Sequence, residues 1–147
     1  MSGKAIRETL GFLAVVASLV FVGFEIRQNT AAQRSAAIEG IANQRVEFNT
    51  AIWTDDRMPG LLRRLREGAV AADLTPDDVQ RIRVWYMTYL RIQESAYRQV
   101  AVGVIGKDDY NVSGPILTFP FLREQWPTLQ LNFEQDFIDF LEAEVFR

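Results

Sequence analysis

The sequence predicts an all-α chain in which an N-terminal transmembrane helix continues into a small helical bundle. Three observations predict it. Sixteen consecutive uncharged residues, Thr9 to Phe24 (TLGFLAVVASLVFVGF), lie between Glu8 and Glu25. Downstream, apolar residues return every three or four positions, the period of a helix, and no segment sustains the period of two that a half-buried strand needs. Helix starts and stops are marked by capping residues, prolines and glycines, most clearly at Thr75-Pro76-Asp77-Asp78.

The apolar run makes a helix of roughly 24 Å at about 1.5 Å per residue. A bilayer's hydrocarbon core needs about 30 Å. Arg7 and Arg27 can snorkel to the headgroups and draw Ile6 and Ile26 into the apolar zone. Lys4 and Arg7 also imitate the start of a secretory signal, but Gly23-Phe24-Glu25 supplies no small-x-small cleavage site directly after the run. The expectation is a membrane anchor with its flanks over 1-29 and a soluble helical domain over 30-147. Gly11, Ala14 and Ser18 share one face of the anchor, a stripe that lets another membrane helix approach closely, and Glu25 continues it.

Nothing interrupts helix between Ile26 and Trp53. Ile38, Ile41, Ala42, Val46 and Phe48 recur at helical spacing, so the anchor is expected to run on as one long helix, with Gly40 as the place where it would loosen. Thr54-Asp55-Asp56 can cap a second helix with Pro59 in its first turn, Leu61, Leu62 and Leu65 facing inward, and Gly68 as its stop. Thr75 with Pro76 behind it opens a long helix whose Val79, Ile82, Tyr86, Tyr89, Leu90, Gln93, Tyr97 and Val100 form one face as far as Val102; Gly103 and Gly106 end it. A short helix is expected from Asp108 to Val112. Another is opened by Thr118-Phe119-Pro120 and closed by Trp126-Pro127. Asn132 is placed to cap the last, with Phe133, Phe137, Phe140, Leu141 and Val145 on one face and Glu134, Asp136, Asp139, Glu142 and Glu144 on the other.

The composition is 48% hydrophobic and 12% aromatic over 147 residues, enough for one packed core and too apolar for a mainly disordered chain. Cysteine is absent, which removes disulfides, thiolate metal sites and the thiol nucleophile. Histidine is absent too, and with it go the commonest general base, zinc ligand and haem ligand. The net charge of −3 is uneven: residues 1–54 carry +1, residues 55–107 carry +2, and residues 108–147 carry −6. Arginine outnumbers lysine fourteen to two, so a basic middle and an acidic end can pair with each other or with a partner.

Several phrases occur together: VASLVFVGFEIRQNT over Val16 to Thr30, Phe48-Asn49 ahead of a Thr-Asp start, and Leu62-Arg63-Arg64 with a glycine soon after. Leu74-Thr75-Pro76 then leads a helix bearing Glu94 and Tyr97, and Val104 to Tyr110 follows it. In this combination the chain resembles a large group of uncharacterised bacterial single-pass membrane proteins of similar length. The resemblance covers nearly the whole chain and implies a membrane anchor with a helical domain in a bacterial inner membrane, with no activity, cofactor or catalytic residue to carry over. Relatives often have a Trp-Trp pair where this chain has only Trp126, and many lack positive residues before the span, which places their domain in the cytoplasm. Here Lys4 and Arg7 balance Arg27 and Arg34, so the flanking charges leave the side undecided and only the resemblance leans cytoplasmic.

Carboxylates are the only raw material for enzymatic chemistry. Glu47 and Glu94 fall in the middles of the two longest predicted helices; pointing inward together they would form an acid/base pair or part of an oxygen-ligand metal site. Glu94-Ser-Ala-Tyr97 has tyrosine where di-iron bundles need histidine. The structural alternative pairs Glu94 with Arg45 or Arg98, or with a tyrosine. No G-x-S-x-G or G-x-x-x-x-G-K-[ST] pattern occurs. Arg57, Arg63, Arg64 and Arg66, with Arg81, Arg83, Arg91 and Arg98 and the intervening Trp85 and Tyr86, suggest a single-strand surface. A pI near 5.0 and only two lysines argue against nucleic acid. Facing a cytoplasmic leaflet, the same arginines would sit on anionic headgroups. Phe119, Phe121 and Trp126, set among Pro115, Pro120 and Pro127, make with Arg63 and Arg64 the expected partner surface.

These features favour a non-enzymatic single-pass protein that needs no cofactor or metal and works by contact, either as an accessory subunit among other membrane subunits or with itself. The alternatives are a carboxylate enzyme or metal-binding bundle on Glu47 and Glu94, and a lipid- or small-ligand-binding bundle with a pocket in its aromatic core.

Overall fold

A computed structural model describes residues 3–110 and 114–146. Helix α1 (Gly3–Thr54) is a single element of 52 residues. It passes Gly40 without a break, so the expected loosening there does not occur; space around Gly40 is open. Residues 10–36 of α1 are exposed on every side. From Ala37 onward one face is covered, and Ile41, Phe48 and Ile52 are buried.

The chain turns sharply after Thr54. The cap position of α2 (Met58–Arg66) falls to Arg57 and not to Thr54-Asp55-Asp56, but Asp55 Oδ1 accepts the N–H of Arg57 (2.9 Å) and that of the first helical residue, Met58 (3.3 Å). Met58, Leu61 and Leu65 of α2 face the core, and Gly68 ends it at φ +97°, a conformation open to glycine and strained for other residues. A short 3-10 turn at Ala71–Asp73 leads to α3 (Pro76–Ala101), where the Thr75 hydroxyl accepts the Asp78 N–H at 3.2 Å. Gly103, at φ +76°, turns the chain after α3.

Helix α3 runs antiparallel to α1. Phe48 stacks on Trp85 with ring centroids 5.5 Å apart, Arg45 reaches Gln93, and Ile41 packs with Ala96 and Ile105. The C-terminal end of α3 therefore lies toward the exposed part of α1. Helices α4 (Pro120–Leu129) and α5 (Gln135–Glu144) complete the packed region, whose centre holds Leu65, Ile82, Tyr86, Leu90, Phe121, Phe137 and Leu141. The Tyr86 hydroxyl donates to the Ile116 carbonyl at 2.9 Å, which satisfies the one polar atom of a wholly buried ring. Five α-helices and no strand occur among the described residues.

Three further sequence expectations are corrected. In place of a helix from Asp108 to Val112 there is a 3-10 turn at Lys107–Asp109, and residues 111–113 lie outside the described residues. Helix α4 does not close at Trp126-Pro127; it continues to Leu129 with Pro127 exposed inside it. Proline leaves the carbonyl four residues earlier without its helical donor, but that residue, Arg123, is also exposed, so water can take the bond while Trp126 and Leu129 keep their buried places. Asn132 does not cap α5. Its amide donates to the Leu129 carbonyl at 3.1 Å, and the cap position falls to Glu134.

Candidate functional site

Glu94 is the most constrained carboxylate among the described residues. It sits in the second half of α3 and is 3% exposed. Its Oε2 accepts Arg91 Nη1 at 2.8 Å, three residues back on the same helix. Its Oε1 accepts Arg98 Nη2 at 3.3 Å and the backbone N–H of Glu134 at 3.0 Å. Arg98 also reaches Glu134 Oε1 at 3.0 Å, so two arginines and two glutamates join α3 to the start of α5. Burial pushes the Glu94 carboxyl up, but the Glu134 N–H, the Arg91 hydrogen bond and the two guanidinium charges outweigh it and hold the group below its ordinary value. A carboxylate held ionised with both oxygens occupied is a structural clamp and a poor proton shuttle.

Glu47 is on an exposed face of α1, so the two glutamates do not face each other in the core and the acid/base pair is not assembled. No group of acidic residues able to hold a metal ion occurs among the described residues. The expected pairing of Glu94 with Arg98 is present, whereas Arg45 bonds Gln93, the residue before Glu94, at 3.4 Å. The Arg91 partnership went unpredicted, although the spacing of three between Arg91 and Glu94 was a visible signal for it.

The arginines do not form one surface. Arg57 pairs with Asp78 at 2.6 Å, Arg81 pairs with Asp55, and Arg83 Nε donates to Gln125 Oε1 at 2.8 Å. Arg91 also stacks over the Phe133 ring at 4.9 Å. Trp85 and Tyr86 are buried and offer no face for a base. Arg63, Arg64 and Arg66 are exposed in the last turn of α2, where positive charge suits the helix dipole, and Arg64 donates to the Asp73 carbonyl.

The expected aromatic partner surface is overturned. Phe121 is fully buried, Phe119 is 8% exposed and Trp126 is 7% exposed. The proline-rich stretch, helical from Pro120 as α4, packs onto the core: Phe121 stacks on Tyr86 at 6.2 Å, and Trp126 packs edge-on to Phe146 at 5.0 Å while its indole N–H donates to Glu142 at 3.0 Å. Its apolarity is satisfied within the chain.

The apolar surface left bare by the described residues is elsewhere, on α1. The most apolar 18-residue window of that helix has a mean hydropathy of 2.0 and is 0% buried, and the helix is long and apolar enough to cross a membrane. Phe12, Leu19, Val20 and Phe21 are exposed there, as are Gly11, Ala14 and Ser18, which the helix aligns on one face. An added Cβ at Gly11 would meet nothing within 4 Å. This segment is the main candidate for contact outside the chain. Compared with known proteins, the chain matches no family model, no curated protein and no solved structure.

Proposed function

We propose that this is a non-enzymatic single-pass protein of a bacterial inner membrane, anchored by residues 1-29 and carrying a soluble helical domain over 30-147, that works through protein contact. The observation that carries the proposal is the exposed apolar segment of α1: a continuous apolar helix that none of the other described residues covers calls for lipid or another helix around it. The small face of Gly11, Ala14 and Ser18 supports helix packing within the bilayer, either against a second copy or against another membrane subunit. The exposed Arg63 and Arg64 supply a polar contact outside it. The dispersal of Glu47 and Glu94 removes the support for carboxylate catalysis.

The test is native mass spectrometry of the full chain extracted in mild detergent, beside the Ala14→Leu/Ser18→Leu double variant. A wild-type mass of two or more whole multiples of 16.8 kDa is expected for self-association, and a larger shared complex for an accessory subunit. In either case the double variant dissociates. A monomeric wild type, or a complex indifferent to both substitutions, defeats the proposal for this helix face.

A further inference from the structure

A second feature, independent of the bare helix, lies where α1, the end of α3 and the following turn meet. A half-enclosed cavity of about 280 Å³ has Ile38, Ile41, Ala42, Ile105 and Tyr110 among its walls, with Arg45 beside them. Of the two part-buried arginines among the described residues of the bundle, Arg83 gives both Nε and Nη2 to the Gln125 Oε1, and Arg45 is left with less. Arg57, Arg81, Arg91 and Arg98 each hold a carboxylate, whereas among the described residues none lies within ion-pairing distance of Arg45. Its Nε is buried without a hydrogen-bond partner, and its one bond, to the neutral Gln93 amide, is long at 3.4 Å. The Tyr110 hydroxyl donates to the Gln93 carbonyl at 3.0 Å and accepts nothing from the Arg45 Nε. A part-buried guanidinium without a counter-charge has lost water and gained little for it, and an anion entering the cavity would restore the balance.

We propose that this cavity binds an aliphatic carboxylate, its head on Arg45 and its chain among Ile38, Ile41, Ala42 and Ile105. One guanidinium matches one monoanion, and its planar fork fits a carboxylate with two parallel hydrogen bonds. Among the described residues that line it there is no second cation, which a phosphate dianion would require. The volume lies just under the usual range of about 300–1,000 Å³ for pockets that take drug-sized ligands, which suits a single chain of medium length and excludes a two-chain phospholipid.

The test uses the full chain in phosphatidylcholine nanodiscs, loaded with decanoate and released for native mass spectrometry. One decanoate per chain is expected. Arg45→Met weakens binding by roughly tenfold or more, the worth of a lost charge-assisted hydrogen bond. Ala42→Phe, which keeps the arginine and fills the cavity, abolishes it; circular dichroism checks that both variants remain helical, and either variant alone suffices if the other does not fold. Decan-1-ol, with the same chain and no charge, leaves no adduct. Absence of the decanoate adduct, equal retention of decanol, or undiminished binding to both variants overturns the proposal. So does a stoichiometric phosphatidylglycerol adduct on protein from anionic nanodiscs without decanoate that Arg45→Met removes, because the occupant would then be a bilayer lipid.

Discussion

The two halves of α1 share one backbone and differ in what touches their side chains. In the first, Phe12 is 69% exposed and Val20 68%; in the second, Ile41 is 8% exposed and Phe48 9%. The more apolar half is thus the one left bare, the reverse of what burial in water produces. The second half is mostly polar and needs only a few apolar residues, Ile41, Phe48 and Ile52, to dock on α2 and α3. Helical hydrogen bonding is common to both and so cannot be what separates them. What separates them is the medium each is suited to. Residues 27–36 lie between, exposed and polar, with Thr30 donating to the Ile26 carbonyl at 2.8 Å and three alanines of high helix propensity.

The contrast is broken most strongly from the packed side. Phe121→Ala removes a fully buried ring and should cost about 3–5 kcal/mol of bundle stability, read by thermal unfolding; a loss below about 1 kcal/mol would return Phe121 to a surface role. On the bare side, Val20→Arg should oppose membrane insertion by about 3 kcal/mol and leave the unfolding midpoint of the bundle unchanged. An equal shift in both would mean that the two halves share a solvent.

Glu94→Gln sharpens the account of how the packed side is held, since it weakens both arginine contacts while leaving an acceptor for the Glu134 N–H; a cost of about 1–2 kcal/mol is expected at neutral pH. Because the folded-state pKa of Glu94 lies below its ordinary 4.5, its contribution is present at neutral pH and is lost as the pH falls through the folded value. Acid titration of wild type should therefore show a loss of stability below about pH 4.5 that the glutamine variant lacks in part. The smallest effect is at the middle of α1: Gly40→Ala, with open space around it, should add about 0.5–1 kcal/mol of helix stability, seen as a higher unfolding midpoint.

The all-α class, the unbroken first helix and the caps at Thr75 and Gly68 were legible in the sequence because each depends on residues within a few positions of one another. The failures needed information from across the fold. Pro127 reads locally as a stop, yet the exposure of Arg123 lets α4 continue. Phe119, Phe121 and Trp126 read locally as surplus apolarity, and only their contacts with Tyr86 and Phe146 show where they go. A pair between Glu94 and Arg98 is among the alternatives the sequence offers, but the third partner of Glu94 is a backbone N–H forty residues away, which no side-chain pattern announces. Arg45 facing Gln93 and not Glu94 is a difference of one residue in the register between α1 and α3, finer than periodicity resolves.

The continuity of α1 has a mechanical consequence. From Ile26 to Thr54 the rod runs 28 residues, about 42 Å, with no proline or break to act as a joint. If its lower part leans in a bilayer by an ordinary 20° or so, the far end swings sideways by about 14 Å, and a twist applied at the base turns the bundle by the same angle. Thickness or crowding in the membrane would then set where the bundle points, as a mast carries the roll of a hull to whatever is fixed at its top.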